Sequence, residues 1–253
     1  KGTERVSGEP LTLLYIGEEH NRVYLQHLIF RDVCKSELQG TVAPAKLESV
    51  WRKFTDDTDI LIIKTEQEVE ALAQAPFFVV PCWINVVRIS LTDTRSSSLR
   101  DDMRRVRKYR YSYDVVSDRT NFDDFYHNMY LPFILRRHKE AAMPITYEQM
   151  LEQLSRAELL RIKRDGAVVA AVMILYGDNV VHSWKIGVRN GDELLAKQGV
   201  VAAIYLFEAQ DLASSGWREI DCGGTRAFLM DGQFQYKKKW GIRLGSDWRQ
   251  HFY

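Results

Sequence analysis

The sequence predicts an α/β (α+β) protein with a mixed, mostly antiparallel sheet flanked by helices. Around Leu160 to Val188, three strand-like runs follow each other with only Asp165-Gly166 and Gly177-Asp178-Asn179 between them, which is the pattern of an antiparallel meander. A helix from about Leu194 to Ser215 then leads through Gly216 into a further strand, Trp217 to Cys222. The strands on either side of that helix should run parallel, joined by a right-handed crossover. Residues 11 to 90 alternate between short strand-like and helical stretches, a smaller α/β unit. The predicted domains are therefore residues 1–92 and 93–253.

With 253 residues, 45% hydrophobic and 27% charged, the chain has the composition of a globular protein. Its net charge of +1 creates no whole-molecule field that would select nucleic acid or a membrane, so any basic partner site must be local. Cys34, Cys82 and Cys222 are odd in number and show no CxxC spacing, which argues against a disulfide framework or a zinc cage and fits a reducing cytoplasm. No apolar run approaches the roughly 18 residues of a spanning helix, so no membrane insertion is expected. No metal is expected either.

In the first unit, Leu11–Ile16 and Ile60–Lys64 read as strands, Lys46–Phe54 and Glu66–Ala73 as helices. Thr65 and Glu68 have capping-box spacing. Phe77–Ile89 reads as a strand interrupted at Pro81. Thr92–Ser98 is polar, after which Leu99, Met103 and Val106 form the narrow apolar stripe of a helix. The other faces of that helix carry Arg100, Arg104, Arg105, Arg107 and Lys108. They form either a solvated face or a phosphate-facing one.

Phe122, Phe125, Tyr126, Met129, Phe133 and Ile134 repeat with helical period through Asn121–Arg137, and Pro132 should kink or split that helix. Pro144–Leu154 reads as one more helix. In the meander, Leu160 and Ile162 alternate with Arg161 and Lys163, while Ala167–Tyr176 is apolar throughout and should be covered on both faces. Simple alternation in Val180–Val188 puts His182, Trp184 and Ile186 on one side and Ser183, Lys185 and Gly187 on the other. Lys185 in mid-strand needs solvent or an anionic neighbour. Lys197-Gln198-Gly199 lies near the start of the long helix, where free amides and the dipole favour an anion.

The stretch from Gly216 to Gly241 closes on Tyr236-Lys237-Lys238-Lys239-Trp240-Gly241, close to an F-K-x-x-W/F-G motif with Tyr for Phe. Leu99-Arg100-Asp101-Asp102-Met103-Arg104-Arg105 has the form LRxxxRR. In this order of elements, over roughly residues 95 to 250, the chain resembles the GNAT acyltransferases and their FemAB-like branch. That resemblance implies a GNAT fold, with residues 1–92 as a degenerate GNAT-like half, and transfer of an acyl group to an amine. The implied donor is acyl-CoA, acetyl-CoA above all; the alternative is aminoacyl-tRNA, and a third reading is a non-catalytic binding module. The implied acceptor is a small-molecule or peptide amine.

By the same resemblance, Lys237, Tyr236 and Asp221 are the catalytic candidates: a fixed positive charge, a hydroxyl donor and a base. Arg189, Lys197, Gln198 and Gly199 are the donor-binding candidates. The chain departs from the Q/R-x-x-G-x-G/A signature of CoA-binding relatives: Lys197-Gln198-Gly199-Val200-Val201 is one glycine short.

Overall fold

The computed structural model describes residues 1–33, 35–65, 78–88, 97–139, 142–244 and 251–252. The predicted helix Glu66–Ala73, the partner of Thr65 in its capping box, Cys34 and the 92/93 boundary lie outside them. Two compact units form: Lys1–Ile84 with Thr225–Phe234 and Ser246–Tyr253, and Asn85–Gly224 with Gln235–Gly245.

The second unit is built on a seven-stranded sheet. Its strands are β1 (Ile84–Arg88), β2 (Ser112–Val116), β3 (Ala157–Arg164), β4 (Ala167–Tyr176), β5 (Val181–Val188), β6 (Ile220–Thr225) and β7 (Ile242–Leu244), in the order β7-β1-β6-β5-β4-β3-β2. The meander β3-β4-β5 is antiparallel, and β5 and β6 are parallel, as the sequence predicts. The turn at Asp165 (φ 51) and Gly166 (φ 80) has the two positive φ angles of a type I′ hairpin. β2 extends the sheet beyond β3 and is a strand that sequence periodicity did not reveal.

Helices cover both faces. They are α1 (Ser97–Lys108), α2 (Arg119–Phe125), α3 (Leu131–His138), α4 (Tyr147–Leu151), α5 (Glu193–Lys197), α6 (Val200–Ser214) and α7 (Gly232–Lys239). Leu99, Met103 and Val106 of α1 and Ala203, Ile204 and Leu212 of α6 bury one face of β4, together with its Ala170, Val172 and Ile174. Phe122, Phe125, Met129 and Met150 cover the other face against Ala171, Met173 and Leu175. β4 is thus buried on both sides, which explains its unbroken apolar run.

Three predicted elements differ in detail. The helical run continues from α2 to α3 through a π turn, Tyr126–Tyr130, so the ladder widens just ahead of Pro132, the residue that cannot donate to it. Gly187 lets that turn approach β5: a Cβ there would stand 2.6 Å from the Tyr130 backbone nitrogen. The predicted long helix is two, α5 and α6, because Gly199 between them is left-handed at φ +91. The strand after it is Ile220–Thr225 rather than Trp217–Cys222, so Gly223 and Gly224 belong to β6.

A fourth difference reverses a facing. β5 carries a bulge: Met173 pairs with Lys185 and Ile174 with Ser183, leaving Trp184 as the extra residue. Simple alternation therefore fails past Ser183. His182 and Lys185 share the face of Leu175 and Met173, whereas Ser183, Ile186 and Val188 lie on the α6 side.

In the first unit, Pro10–Leu11, Gly2–Glu4 and Phe30–Val33 form a three-stranded sheet. Leu13–Ile16, Ile60–Thr65, His251–Phe252 and Val80–Pro81 form a four-stranded one. The predicted first strand is split at Thr12, whose amide donates to Asp59 at 2.7 Å. The run interrupted at Pro81 is likewise two strands in two sheets. The helix Glu19–Ile29, with Leu25 fully buried, was not evident from apolar spacing.

Candidate functional site

Two features of the second unit bring charge and open backbone together. At the start of α6 no side chain caps the helix, so its first amides are left to a ligand or solvent. α1 passes alongside: a Cβ on Gly199 would stand 3.0 Å from Arg105 Cβ. Arg104, Arg105 and Lys108 of α1, Tyr109 just beyond it and Lys197 of α5 line a recess of about 270 Å³. Four cations thus surround one cavity beside a helix N-terminus, an arrangement suited to phosphate. Asp102 tempers it. Buried in α1, it accepts from Arg105 at 3.3 Å and pairs with Lys239 of α7.

The second feature lies on β5 and β6. They pair only at Val181–Ile220 and His182–Asp221, then part. At that parting His182 Nδ1 is 3.0 Å from Asp221 Oδ2, while Asp221 Oδ1 accepts the Gly223 amide at 2.7 Å. The Trp184 bulge follows immediately, an extra residue without a Cα partner on β4. Ser183 donates to Glu208 of α6 at 3.0 Å, which accounts for the acidic residue on that helix's buried side. Burial lowers the Lys185 pKa, and its Nζ stands 5.0 Å from the centre of the Trp184 ring.

α7 closes over the end of β6. The buried Lys237 ammonium donates to the carbonyls of Cys222 (2.6 Å), Gly223 (3.0 Å) and Gly224 (3.0 Å). Three protons meet three carbonyls, so the charge holds the glycine end of β6 in shape. Tyr236 packs edge-on to Tyr205 with centroids 5.4 Å apart, and Trp240, 1% exposed, packs on the same ring at 5.4 Å. Burial, reinforced by the Asp102 charge, raises the Tyr236 pKa, so the phenol keeps its proton.

The donor-binding candidates also have protein partners: Lys197 Nζ stands 4.0 Å from Glu193 Oε2 within α5. Arg189 forms a two-pronged bond to Asp124 (2.6 and 2.8 Å) and donates Nε to the Val168 carbonyl at 3.2 Å. Its guanidinium thus faces a carboxylate, where the sequence led to a phosphate. Gln198 accepts from Arg164 at 2.6 Å, tying the α5–α6 joint to β3. Lys197 and Gly199 are the donor-binding candidates found at the basic recess.

The family model described as acetyltransferase (GNAT) domain matches residues 93–238, more than half of the sequence. The chain belongs to the GNAT acetyltransferase domain family. No curated protein matches it. Among solved structures, FemX is 12% identical with a TM-score of 0.50, over 98% of this chain and 82% of that one. L-PGS from Bacillus licheniformis is 13% identical with a TM-score of 0.49, over 83% and 72%. The C-terminal domain of a putative lysylphosphatidylglycerol synthetase from Agrobacterium fabrum is 11% identical with a TM-score of 0.48, also over 83% and 72%. At these identities the likeness concerns fold.

The two motifs that carried the GNAT resemblance meet in space. Asp102, from the Arg-rich helix, pairs with Lys239, from the closing motif. Among the described residues of this GNAT chain, no group of His, Cys, Asp and Glu could hold a metal ion, and no helix is long and apolar enough to cross a membrane.

Proposed function

We propose that this GNAT-family chain transfers an acyl group from acyl-CoA, acetyl-CoA in the first instance, to the amine of a small molecule or peptide. The observation that carries this reading is the cationic recess at Gly199, which offers a phosphate-bearing donor Lys197, Arg104, Arg105 and Lys108 beside the first amides of α6. From there β5 extends about 20 Å to the point where it parts from β6, a span an extended pantetheine arm can follow. At its far end the donor carbonyl would meet the backbone amide of the Trp184 bulge, a hydrogen-bond donor for the oxyanion that forms as the amine attacks. Tyr236 and Lys237 act from behind: the ammonium shapes β6 and the phenol packs α7 onto α6. The buried thiols of Cys82 and Cys222 suit a cytoplasmic location.

Titration calorimetry with acetyl-CoA and longer acyl-CoAs tests the donor. Saturable binding, weakened at least tenfold in a Lys197→Ala, Arg104→Ala double variant, is expected; no heat with any CoA species would overturn the reading.

Aminoacyl-tRNA is a second reading, favoured by one observation: Arg100, Arg104, Arg105, Arg107 and Lys108 are all exposed along α1, more positive charge than a single pyrophosphate needs. Charged tRNA in the same titration distinguishes the two donors. Tight binding of either without turnover would leave a binding module.

A further inference from the structure

The transfer reaction requires that the attacking nitrogen lose a proton, and Asp221, expected from sequence as the base, has its two carboxylate oxygens engaged by His182 and the Gly223 amide. The Lys237 ammonium is spent on three carbonyls, and the Tyr236 phenol stays protonated. We infer that His182 is the proton acceptor of the reaction and that Asp221 positions it; this rests on the transferase reading above.

The geometry is specific. His182 and Asp221 face each other across the last rung before β5 and β6 separate, so backbone register, not a flexible loop, brings the pair together. A carboxylate can only accept, so the 3.0 Å contact requires that Nδ1 carry the ring proton. That leaves the Nε2 lone pair free. Asp221 is held in turn by the Gly223 amide at 2.7 Å, so the carboxylate cannot swing away without losing that hydrogen bond. The imidazole is 36% exposed, enough to be reached, and the Trp184 bulge lies two residues along the same strand. Proton acceptor and oxyanion donor thus flank one point on the sheet, as acyl transfer requires.

Other charged groups share this face: Arg161 of β3, opposite Ala171, is bonded to Asp114 of β2 and to Asn121 of α2. Lys185 is the cation one rung further along β5, next to Trp184. From α2 and the π turn come Asp124, bound to Arg189, and Tyr126 and Tyr130, hydrogen-bonded to the backbone of Ile145.

In the step itself, Nε2 takes one proton from the amine as the nitrogen lone pair forms the C–N bond to the acyl carbon. The carbonyl electrons return as the bond to the CoA sulfur breaks, and the imidazolium returns its proton to the departing thiolate. Amide and free thiol are the products, and the histidine is regenerated neutral.

The test compares the wild type with His182→Gln, His182→Ala and Asp221→Asn in the full chain. Acetyl-CoA binding is followed by calorimetry, and thiol release is measured with acetyl-CoA and a panel of primary amines (lysine, ethanolamine, glucosamine and a lysine-containing peptide). His182→Gln should bind acetyl-CoA within about twofold of wild type but turn over about 10²–10⁴-fold more slowly. Added imidazole should restore part of the His182→Ala rate. Asp221→Asn should lower kcat with little change in KM.

Nitrogen NMR of the imidazole supplies a readout independent of turnover: Nδ1–H, with bare Nε2, in the wild type, and loss of that preference in Asp221→Asn. Turnover by His182→Gln within threefold of wild type, or an Nε2–H ring in the wild type, would overturn the proposal alone. A wild type that binds neither acetyl-CoA nor charged tRNA would overturn the transferase reading and this proposal with it.

Discussion

A buried lysine is costly unless every proton finds an acceptor, and Lys237 meets that condition with main-chain oxygens alone. Removing the side chain strands three carbonyls at the end of β6. Lys237→Ala should therefore lower stability by about 2–4 kcal/mol in urea unfolding, independently of any donor. A loss below about 0.5 kcal/mol would show that the ammonium does not hold β6. Gly199 makes a second residue-scale case. With φ at +91 and Arg105 Cβ 3.0 Å from where its own would be, Gly199→Ala should cost about 1–2 kcal/mol. It should also weaken acetyl-CoA binding, because Arg105 has to give way; calorimetry on the folded variant reads this directly.

At the scale of elements, β2 is joined to β3 by charge as well as by backbone. Arg161 donates to Asp114 at 2.7 and 2.8 Å, and Lys163 adds a contact at 2.5 Å. The Arg161 hydrogen bonds hold the Asp114 carboxyl down at about 2, against an ordinary 3.8. A carboxyl lowered on folding adds stability above its unfolded value and loses it as pH falls through the folded one. Stability should thus decline between about pH 4 and pH 2, and Asp114→Asn should flatten that part of the acid-unfolding curve. Equal slopes in the two proteins would remove Asp114 from the account.

The same elements show what local sequence carries. The meander, its Asp165-Gly166 turn and the irregularity before Pro132 were legible because each depends on neighbours within a few residues. β2, short and with Asp114 in its middle, shows little apolar alternation, and the split at Gly199 was concealed by apolar spacing that continues through both helices. In the candidate site, Lys197 and Gly199 could be singled out, but their meeting with Arg104 and Arg105 depends on α1 lying against α6, some ninety positions apart in sequence. The partner of Arg189 was hidden for a related reason: its loop lies near the donor end, while its side chain reaches back to Asp124 of α2.

For the molecule as a whole, the near-zero net charge conceals a local concentration on α1, and salt separates the two donors. Binding of charged tRNA should weaken steeply, the logarithm of affinity falling by about 0.7–0.9 per phosphate neutralised for each unit in log salt. Acetyl-CoA should show a much shallower dependence. The units are also discontinuous: β1, at Ile84–Arg88, precedes residue 93 yet pairs with β7 in the larger sheet, while His251–Phe252 pairs with strands of the smaller unit. A chain of residues 93–253 should accordingly unfold at lower temperature than the full chain, its β7 unpaired. Equal thermal midpoints would show that β1 adds nothing to that sheet.

The bulge at Trp184 also sets a rule for how β5 can change in length. Before and after that residue the strand is out of phase with itself, and the extra position makes the two halves agree with their neighbours. Deleting Trp184 would restore an unbroken ladder while keeping Ser183 against Glu208 and Lys185 opposite Met173 as adjacent rungs; it would remove the bulge amide together with the ring that packs beside Lys185. A one-residue deletion on either side would instead turn a buried set of side chains outward. Among single-residue deletions in β5, loss of Trp184 is the one expected to abolish transfer while leaving the sheet intact.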